Sequence, residues 1–507
     1  SIPAPMTTPR AARATRDRIA AAVPERIAAL DVVRGVAVCG IVVANVLVFF
    51  GWLVIPVVRM AAMLTETDRA ALFLERVFVE GKFYSIFSLL FGIGFGLQLS
   101  RGGERAGARF KRRLKILLVI GAIHAFLIWA GDILMLYAML GFTMPWFARK
   151  SDRDLLRWTL MLLALPTILY VVALVAALAA GGGAPAPNVG AGLPDEVVAI
   201  FGAIGTGGLR EALVGNLFWL VGRWMELFTT VRFPKVLGMF VLGLWLVRQG
   251  IATAPHAHRA LLVRWCLVGW GIGLPANLLG AYVFEHWAYL PPSAPGLAGV
   301  AAQAIGIPML AIGYAASVTL LVTSGVRATA MFAPVGRMAL TNYLLQSVIC
   351  TVLSRGFGFG LFWQIGPALA IGIAFAIALV TLASSASGTL AGLIHARRRA
   401  APPAAFLPTY AATIAVLTAL AAALLGVPTV GRPSPSALAL APIVGGVACL
   451  VAWRGEALMS RAAIRRASAS GMAGPVPTRA RLVRPDLAGA AYGSGARVLA
   501  WLLVVGA

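Results

Sequence analysis

The residues of this chain best suited to chemistry are a histidine and an aspartate in an apolar stretch. The stretch reads Gly121-Ala-Ile-His124-Ala-Phe-Leu-Ile-Trp129-Ala-Gly131-Asp132. An imidazole beside a carboxylate is typical of a general base or a proton relay, so His124 and Asp132 are the candidate catalytic residues. On one straight helix they would lie about 12 Å apart, so they touch only if the chain folds back. The alternative is a core histidine with a purely structural role.

A second polar group lies at the start of the first apolar segment. Asp31 and Arg34 are three residues apart, which places them on one helix face where they can pair. Asn45 follows about 21 Å further along the same helix. Arg337 is expected near the same membrane face, where it meets Asp31 or an anionic head group. These residues are candidate substrate-binding groups, and the alternative is a structural ion pair with a helix-packing amide.

Two further sets of polar residues stand at or inside apolar segments. Glu80 and Lys82 are expected at the outer end of the second segment. Asn342 and Gln346 are four residues apart and share a helix face. All four are candidate substrate-binding residues, although two amides in this arrangement also serve as glue between membrane helices.

Composition identifies the class of protein that must position these groups. The 507 residues are 60% hydrophobic and only 12% charged, whereas a soluble domain carries about 25% charge. The chain is therefore predicted to be an all-α, polytopic bundle of transmembrane helices. The net charge is +25, but the basic residues lie between apolar segments and no nucleic-acid-binding motif is present, so we expect no nucleic-acid partner. The histidines and cysteines are scattered, which predicts no metal site.

The apolar segments predict about ten core spans, with two further candidates at residues 404–426 and 436–453. The ten core spans are roughly residues 33–57, 83–100, 114–130, 132–149, 157–180, 234–250, 261–284, 297–323, 336–355 and 357–382. The strongly basic loop 101–115 follows two spans, which predicts a cytoplasmic N-terminus. Residues 196–232 are expected as an amphipathic helix on the outer interface or, alternatively, as a helical pair that dips into the bundle.

The chain divides into four predicted parts. A basic cytoplasmic arm occupies residues 1–25, a membrane core 26–383, a divergent two-span extension 384–464, and a basic disordered tail 465–507. After residue 356 the only acids are Glu456 and Asp486. Two origins remain open for this region, a genuine extension or out-of-frame translation.

Four ordered phrases resemble the YeiB family of bacterial membrane proteins, also called domain of unknown function 418. The phrases are Arg26-Ile-Ala-Ala-Leu-Asp31-Val-Val-Arg34-Gly35, Glu80-Gly-Lys82-Phe-Tyr-Ser-Ile-Phe-Ser-Leu-Leu-Phe-Gly92, His124-Ala with Gly131-Asp132-Ile-Leu, and Gly336-Arg337-Met-Ala-Leu-Thr-Asn342-Tyr-Leu-Leu-Gln346-Ser347. The resemblance covers about residues 26–380. The family's closing phrase, Gly-Pro-Leu-Glu-Trp, has no counterpart after Ala383. The resemblance implies a multi-pass protein of the bacterial inner membrane.

The Asp-x-x-Arg-Gly element of this family is similar to that of membrane acyltransferases of the heparan glucosaminide N-acetyltransferase kind. This similarity implies acyl-CoA as the donor, a lipid or glycan as the acceptor, His124 as the acyl-handling base, and Asp31 with Arg34 in a head-group site. The family is also associated with transport. Three functions therefore remain open: an acyltransferase, a transporter of a small solute or lipid, and a non-catalytic membrane partner. The oligomeric state is undetermined by the sequence.

Overall fold

The computed structural model describes residues 27–398 except 56–59, 61, 102, 104–105, 185–194 and 288, with the backbone alone for 386–398. The predicted N-terminal arm and everything after residue 398 lie outside this part. The helices are α1 Ala28–Phe49, α2 Glu66–Phe78, α3 Lys82–Arg101, α4 Ala106–Ile123, α5 Leu134–Gly141, α6 Met144–Phe147, α7 Asp152–Ala179, α8 Asp195–Thr206, α9 Leu209–Thr229, α10 Arg232–Arg248, α11 Arg259–His286, α12 Ala294–Thr323, α13 Phe332–Arg337, α14 Ala339–Ser354 and α15 Pro367–Arg398.

The described residues form an all-α bundle without a β-strand, which confirms the predicted fold class. Within the described part of the chain, six helical segments are long and apolar enough to cross a membrane, and α9 with α10 makes a seventh if the pair is one bent span. The predicted ten spans also count shorter helices such as α4, α5 and α14. The predicted boundary at residue 384 falls inside α15.

The first helix lies at the centre of the bundle. Of the apolar window of α1, 61% is buried, whereas the corresponding window of α7 is only 11% buried and faces outward. Because α1 is almost uncharged beyond Arg34, it can sit among other helices without placing unpaired charge in the interior. The two polar residues near its start are thereby held at one end of the bundle.

Two glycines bring α1 against α13 at that end. A Cβ at Gly35 would overlap the carbonyl oxygen of Phe332, and one at Gly336 would overlap that of Asp31. The helix backbones can meet this closely only because both positions lack a side chain. The crossing therefore fixes Arg34 and Arg337, the residues beside these glycines, at the same end of the bundle.

We expect Gly336→Leu to force α1 and α13 apart and to lower the thermal unfolding midpoint in detergent by several degrees, since overpacking costs about 1–3 kcal/mol. Gly271→Leu is the matched control, because Gly271 on α11 has open space where the side chain would extend. An unchanged midpoint for Gly336→Leu would contradict the tight crossing.

The glycine triplet at 92–96 has two roles. A Cβ at Gly92 would overlap the backbone of Phe240 on α10, and one at Gly96 would crowd Val247. These contacts show that Gly92 and Gly96 allow close helix packing. Gly94 faces open space instead, and that space belongs to the cavity described below.

The segment 195–248 packs into the bundle through one face. On α9, Asn216 and Trp219 are buried, whereas Leu217, Val221 and Met225 on the other face are exposed. Between α9 and α10 the chain bends by 68° at Val231, which has a positive φ of 50°. Of the two alternatives predicted for residues 196–232, this burial favours a helical pair that dips into the bundle over an amphipathic helix on the outer interface.

Candidate functional site

The structure brings His124 and Asp132 together. After α4 the helix widens into a π-turn at His124–Ile128, closed by a bond from the Trp129 N–H to the His124 carbonyl. The chain then reverses, and Asp132 Oδ2 lies 2.8 Å from His124 Nδ1. The separation of about 12 Å expected on a straight helix does not occur, because the chain folds back. Both side chains are almost completely buried.

Hydrogen bonds at Asp132 determine what the imidazole can do. Asp132 Oδ1 accepts a bond from the backbone N–H of Met135, and its other oxygen faces His124 Nδ1. A carboxylate in this position favours the tautomer with the proton on Nδ1, which leaves the lone pair on Nε2. Nε2 is buried and has no hydrogen-bond partner among the described residues. The pair thus has the orientation of a general base and its orienting carboxylate.

A tyrosine covers one side of this pair. The ring of Tyr343 on α14 lies 5.2 Å from that of His124, measured between centroids. Its buried hydroxyl has no well-formed hydrogen bond within the described part of the chain. Tyr137 on α5 lies beside it and shares a 2.8 Å hydrogen bond with Ser88 of α3. The imidazole is therefore covered on this side by an aromatic ring that carries an unused polar group.

A cluster of charges stands on the other side of Asp132. Arg223 on α9 and Asp132 line the same small space between α5 and α9. Glu226 receives bonds from both sides of the helix bend, from Arg223 at 2.5 Å and from Arg232 at 2.6 Å. This acid bridges α9 and α10 across the strained residue Val231. The bend is thereby held so that the Arg223 guanidinium stands near the Asp132 carboxylate.

A cavity of about 260 Å³ runs between α1, α3, α4, α5 and the α13–α14 segment. Polar groups gather at one end, where α1, α3, α4 and α13 contribute Arg34, Gln98, Arg113 and Arg337. The middle is apolar. Its lining includes Phe87, Leu90, Phe91, Gly94, Leu117, Ile120 and Leu340. Tyr137 and Tyr343 also line the cavity, and Tyr343 is the residue that covers His124.

The polar end of the cavity, which we call the arginine mouth, consists of Arg34, Gln98, Arg113 and Arg337. Arg34 Nη1 lies 3.2 Å from Asp31 Oδ1, the pairing that their spacing predicts. Arg113 donates a 3.2 Å bond to Gln98. Arginine is the side chain best shaped to bind phosphate or carboxylate groups, so the mouth is suited to an anionic head group above an apolar chain.

The cavity lining does not include the predicted binding residues Asn342, Gln346 and Asn45. Asn342 donates to the Val335 carbonyl and to Ser385 of α15, and Gln346 donates to Thr381 of α15. These contacts correspond to the alternative expectation, amides that join helices. Asn45 is half-buried on α1, about 16 Å of helix beyond Arg34, and does not line the cavity.

Glu80 and Lys82 lie at the opposite end of α3 from the arginine mouth. Lys82 is buried and its Nζ donates a 2.5 Å bond to the carbonyl of Arg76, whereas Glu80 is exposed. Glu75 on α2 is a buried acid whose charge interacts with that of Lys82. These residues stabilise the α2–α3 turn and do not contact the cavity.

Several residues of the site were absent from the sequence-based candidates. Tyr343, Tyr137, Arg223, Arg113 and Gln98 all lie beside the cavity or the His–Asp pair. Arg113 was not a candidate because it lies in a basic loop whose charges the positive-inside rule already explained. Arg223 was not a candidate because its segment was expected to be a helix on the membrane surface. The one sequence signal that could have identified Tyr343 is its hydroxyl, a polar group inside an apolar segment. Among the described residues no group of three or more His, Cys, Asp or Glu side chains could hold a metal ion.

Comparison with known proteins finds relatives over most of the bundle. A family model described as a protein of unknown function, DUF418, matches residues 246–387. The uncharacterised protein YxaH of Bacillus subtilis strain 168 is 29% identical over 381 residues, 71% of this chain and 89% of that relative. The uncharacterised protein YeiB of Escherichia coli K12 is 31% identical over 352 residues, 65% of this chain and 83% of the relative. No solved structure gives a significant match.

Proposed function

Since this chain belongs to the YeiB-like DUF418 family of membrane proteins, we propose that it is an acyltransferase embedded in the bacterial inner membrane. The observation that carries the proposal is the cavity itself. Three arginines stand at its mouth, its middle is apolar, and a single tyrosine separates it from a buried His–Asp pair. An acyl-CoA has the matching order of parts, with phosphates at one end and a hydrocarbon chain at the other.

The proposed orientation places the arginine mouth at the cytoplasmic face. Arg113 belongs to the basic stretch 101–115 that the positive-inside rule assigns to the cytoplasm, and Gln98 lies just before that stretch. A donor made in the cytoplasm would then bind its phosphates to Arg34, Arg113 and Arg337 and extend its acyl chain toward Tyr137 and Tyr343. The acceptor, a hydroxyl or amine of a lipid or glycan, approaches from the His124 side.

The proposed chemistry needs one base. His124 Nε2 takes the proton of the acceptor hydroxyl as its oxygen bonds to the acyl carbonyl carbon. The carbon–sulfur bond of the thioester then breaks, and the leaving thiolate recovers the proton from the imidazole. Asp132 orients the ring and stabilises the imidazolium that forms between the two steps. Tyr343 must swing aside for the donor carbonyl to reach Nε2, which makes this ring the gate between cavity and base.

The direct test uses purified full-length protein in proteoliposomes of bacterial lipid extract, supplied with radiolabelled acyl-CoA. We expect label in lipid or glycan products. We also expect Arg337→Gln to raise the KM for acyl-CoA about tenfold or more with little change in kcat, because a charge-assisted bond to phosphate is worth about 1.5–3 kcal/mol. Arg327→Gln, which alters an exposed arginine ten residues earlier, is the matched control. A protein that binds no acyl-CoA would refute the proposal.

Transport is the second candidate, and the bent pair α9–α10 is the observation that favours it. Interrupted helices beside buried charges are common at transporter binding sites. The same proteoliposomes separate the two functions. A transporter would carry the labelled compound across the membrane with its covalent structure unchanged, whereas an acyltransferase leaves the label on a different molecule.

A further inference from the structure

Arg355 is a fully buried arginine at the C-terminal end of α14. It is 1% exposed, and neither of its terminal nitrogens has a hydrogen-bond partner among the described residues. Its guanidinium carbon lies 6.0 Å from the ring centre of Trp219 and 5.9 Å from that of Phe362. The neighbouring loop packs on α8, where the Gly356 N–H donates to the Ile204 carbonyl. The α8–α9 pair therefore covers the charge.

A buried guanidinium without a polar partner is unfavourable. Burial of a guanidinium without an acid or another hydrogen-bond acceptor carries a large desolvation free energy. The attraction of two distant aromatic rings is too weak to offset that free energy. Within the described part of the chain, no carboxylate forms an ion pair with Arg355. A buried arginine usually donates two parallel N–H hydrogen bonds to a carboxylate or phosphate group. The missing partner is thus expected to be an anion that comes from outside the chain.

The position of Arg355 distinguishes it from the arginine mouth. It lies twelve residues beyond Tyr343, about 18 Å along α14, and so toward the opposite end of the bundle from the mouth. One turn before it, Thr351 donates a 3.4 Å bond to the carbonyl of Ile128 in the π-turn that carries His124. An anion at Arg355 would therefore lie on the far side of the His–Asp pair from the cavity.

We propose that Arg355 binds the phosphate or carboxylate group of a ligand that enters at the end of the bundle opposite the arginine mouth. The α8–α9 pair has to move to admit it, since Trp219 and the loop after Arg355 now close the site. In the proposed acyltransferase this ligand would be the acyl acceptor, and that assignment rests on the proposed function, whereas the anion site itself does not. The ligand class is an anionic one, either a lipid with a charged head group or a soluble phosphate compound.

The test measures the thermal unfolding midpoint of the full-length protein under two conditions. One uses micelles of an uncharged detergent with sodium phosphate or with sodium chloride of equal ionic strength. The other uses nanodiscs of phosphatidylglycerol or of phosphatidylcholine. We expect wild type to gain several degrees with phosphate or with phosphatidylglycerol, because a ligand that binds only the folded state stabilises it. A gain with phosphate alone indicates a soluble ligand, and a gain with phosphatidylglycerol alone indicates a lipid head group.

Arg355→Met isolates the site from the arginine mouth. Without the buried charge, we expect its midpoint in the absence of ligand to equal or exceed that of wild type, while the gain from the anion shrinks by at least half. Arg210→Gln removes an exposed arginine from α9, close to the same end of the bundle, and should behave as wild type.

Two results would overturn the proposal. One is an anion-dependent gain of equal size in Arg355→Met and wild type. The other is a lower ligand-free midpoint for Arg355→Met, which would mean that the arginine stabilises the fold by itself. Neither measurement involves acyl transfer, so failure of the anion site and failure of the proposed enzyme activity are distinguishable.

Discussion

Replacement of His124 by Leu is expected to reduce acyl transfer in proteoliposomes by about a thousandfold or more. General bases contribute about 10²–10⁴ to rate, and the imidazole is the sole group placed to deprotonate the acceptor in the proposed mechanism. Asp132→Asn should cause a loss of similar order, since an amide no longer fixes the tautomer or stabilises the imidazolium. Initial rates with saturating acyl-CoA measure both.

Loss of folding must be separated from loss of chemistry in these variants. His124→Leu alone leaves a buried carboxylate without its partner, which costs about 3 kcal/mol or more. The double variant His124→Leu/Asp132→Leu removes both groups, so its unfolding midpoint should recover toward that of wild type while it stays inactive. A double variant that regains activity along with stability would show that the pair is structural.

The second large effect is expected from Gly94→Leu, which fills the cavity. Gly94 faces open space inside it, so an isobutyl group can enter without displacing backbone. If about four methylene groups of a long acyl chain can no longer be buried in the cavity, the binding free energy falls by about 3 kcal/mol, or roughly a hundredfold in affinity. Binding of palmitoyl-CoA and of acetyl-CoA to the purified protein measures this loss, and only the long-chain donor should be strongly affected.

Gly271→Leu serves as the control for this prediction as well, because it adds the same group at an open position on α11. The thermal midpoints of both variants should match that of wild type. If Gly94→Leu weakens the short-chain and long-chain donors equally, the cavity does not hold the acyl chain.

The fold class and the identity of the central pair were predictable, but the contact within the pair was not. Helical periodicity placed Asp31 and Arg34 on one face because that relation is local. The contact of His124 with Asp132 depends on a π-turn and a chain reversal, and neither has a reliable sequence signal. A straight helix was the simplest expectation, and it separated the two groups by about 12 Å.

Non-local contacts account for the remaining differences. Asn342 and Gln346 lie on the α15 side of α14, whereas Tyr343, one residue after Asn342 and so about 100° around the helix, lines the cavity. Which face of an apolar helix meets a cavity depends on every neighbouring helix. Likewise, Arg113 is one of seven basic residues in the stretch 101–115, and the sequence does not distinguish it from the others until its hydrogen bond to Gln98 is known.

The widened turn at residues 124–128 makes backbone length a determinant of the site. Removal of a single residue there would restore ordinary winding and eliminate the extra residue of the π-turn, so His124 and Asp132 would lose their present relative placement. Every functional group would still be present in such a shortened chain. A relative with a different number of residues between Ile123 and Trp129 would therefore keep each side chain of the site and yet lack its geometry.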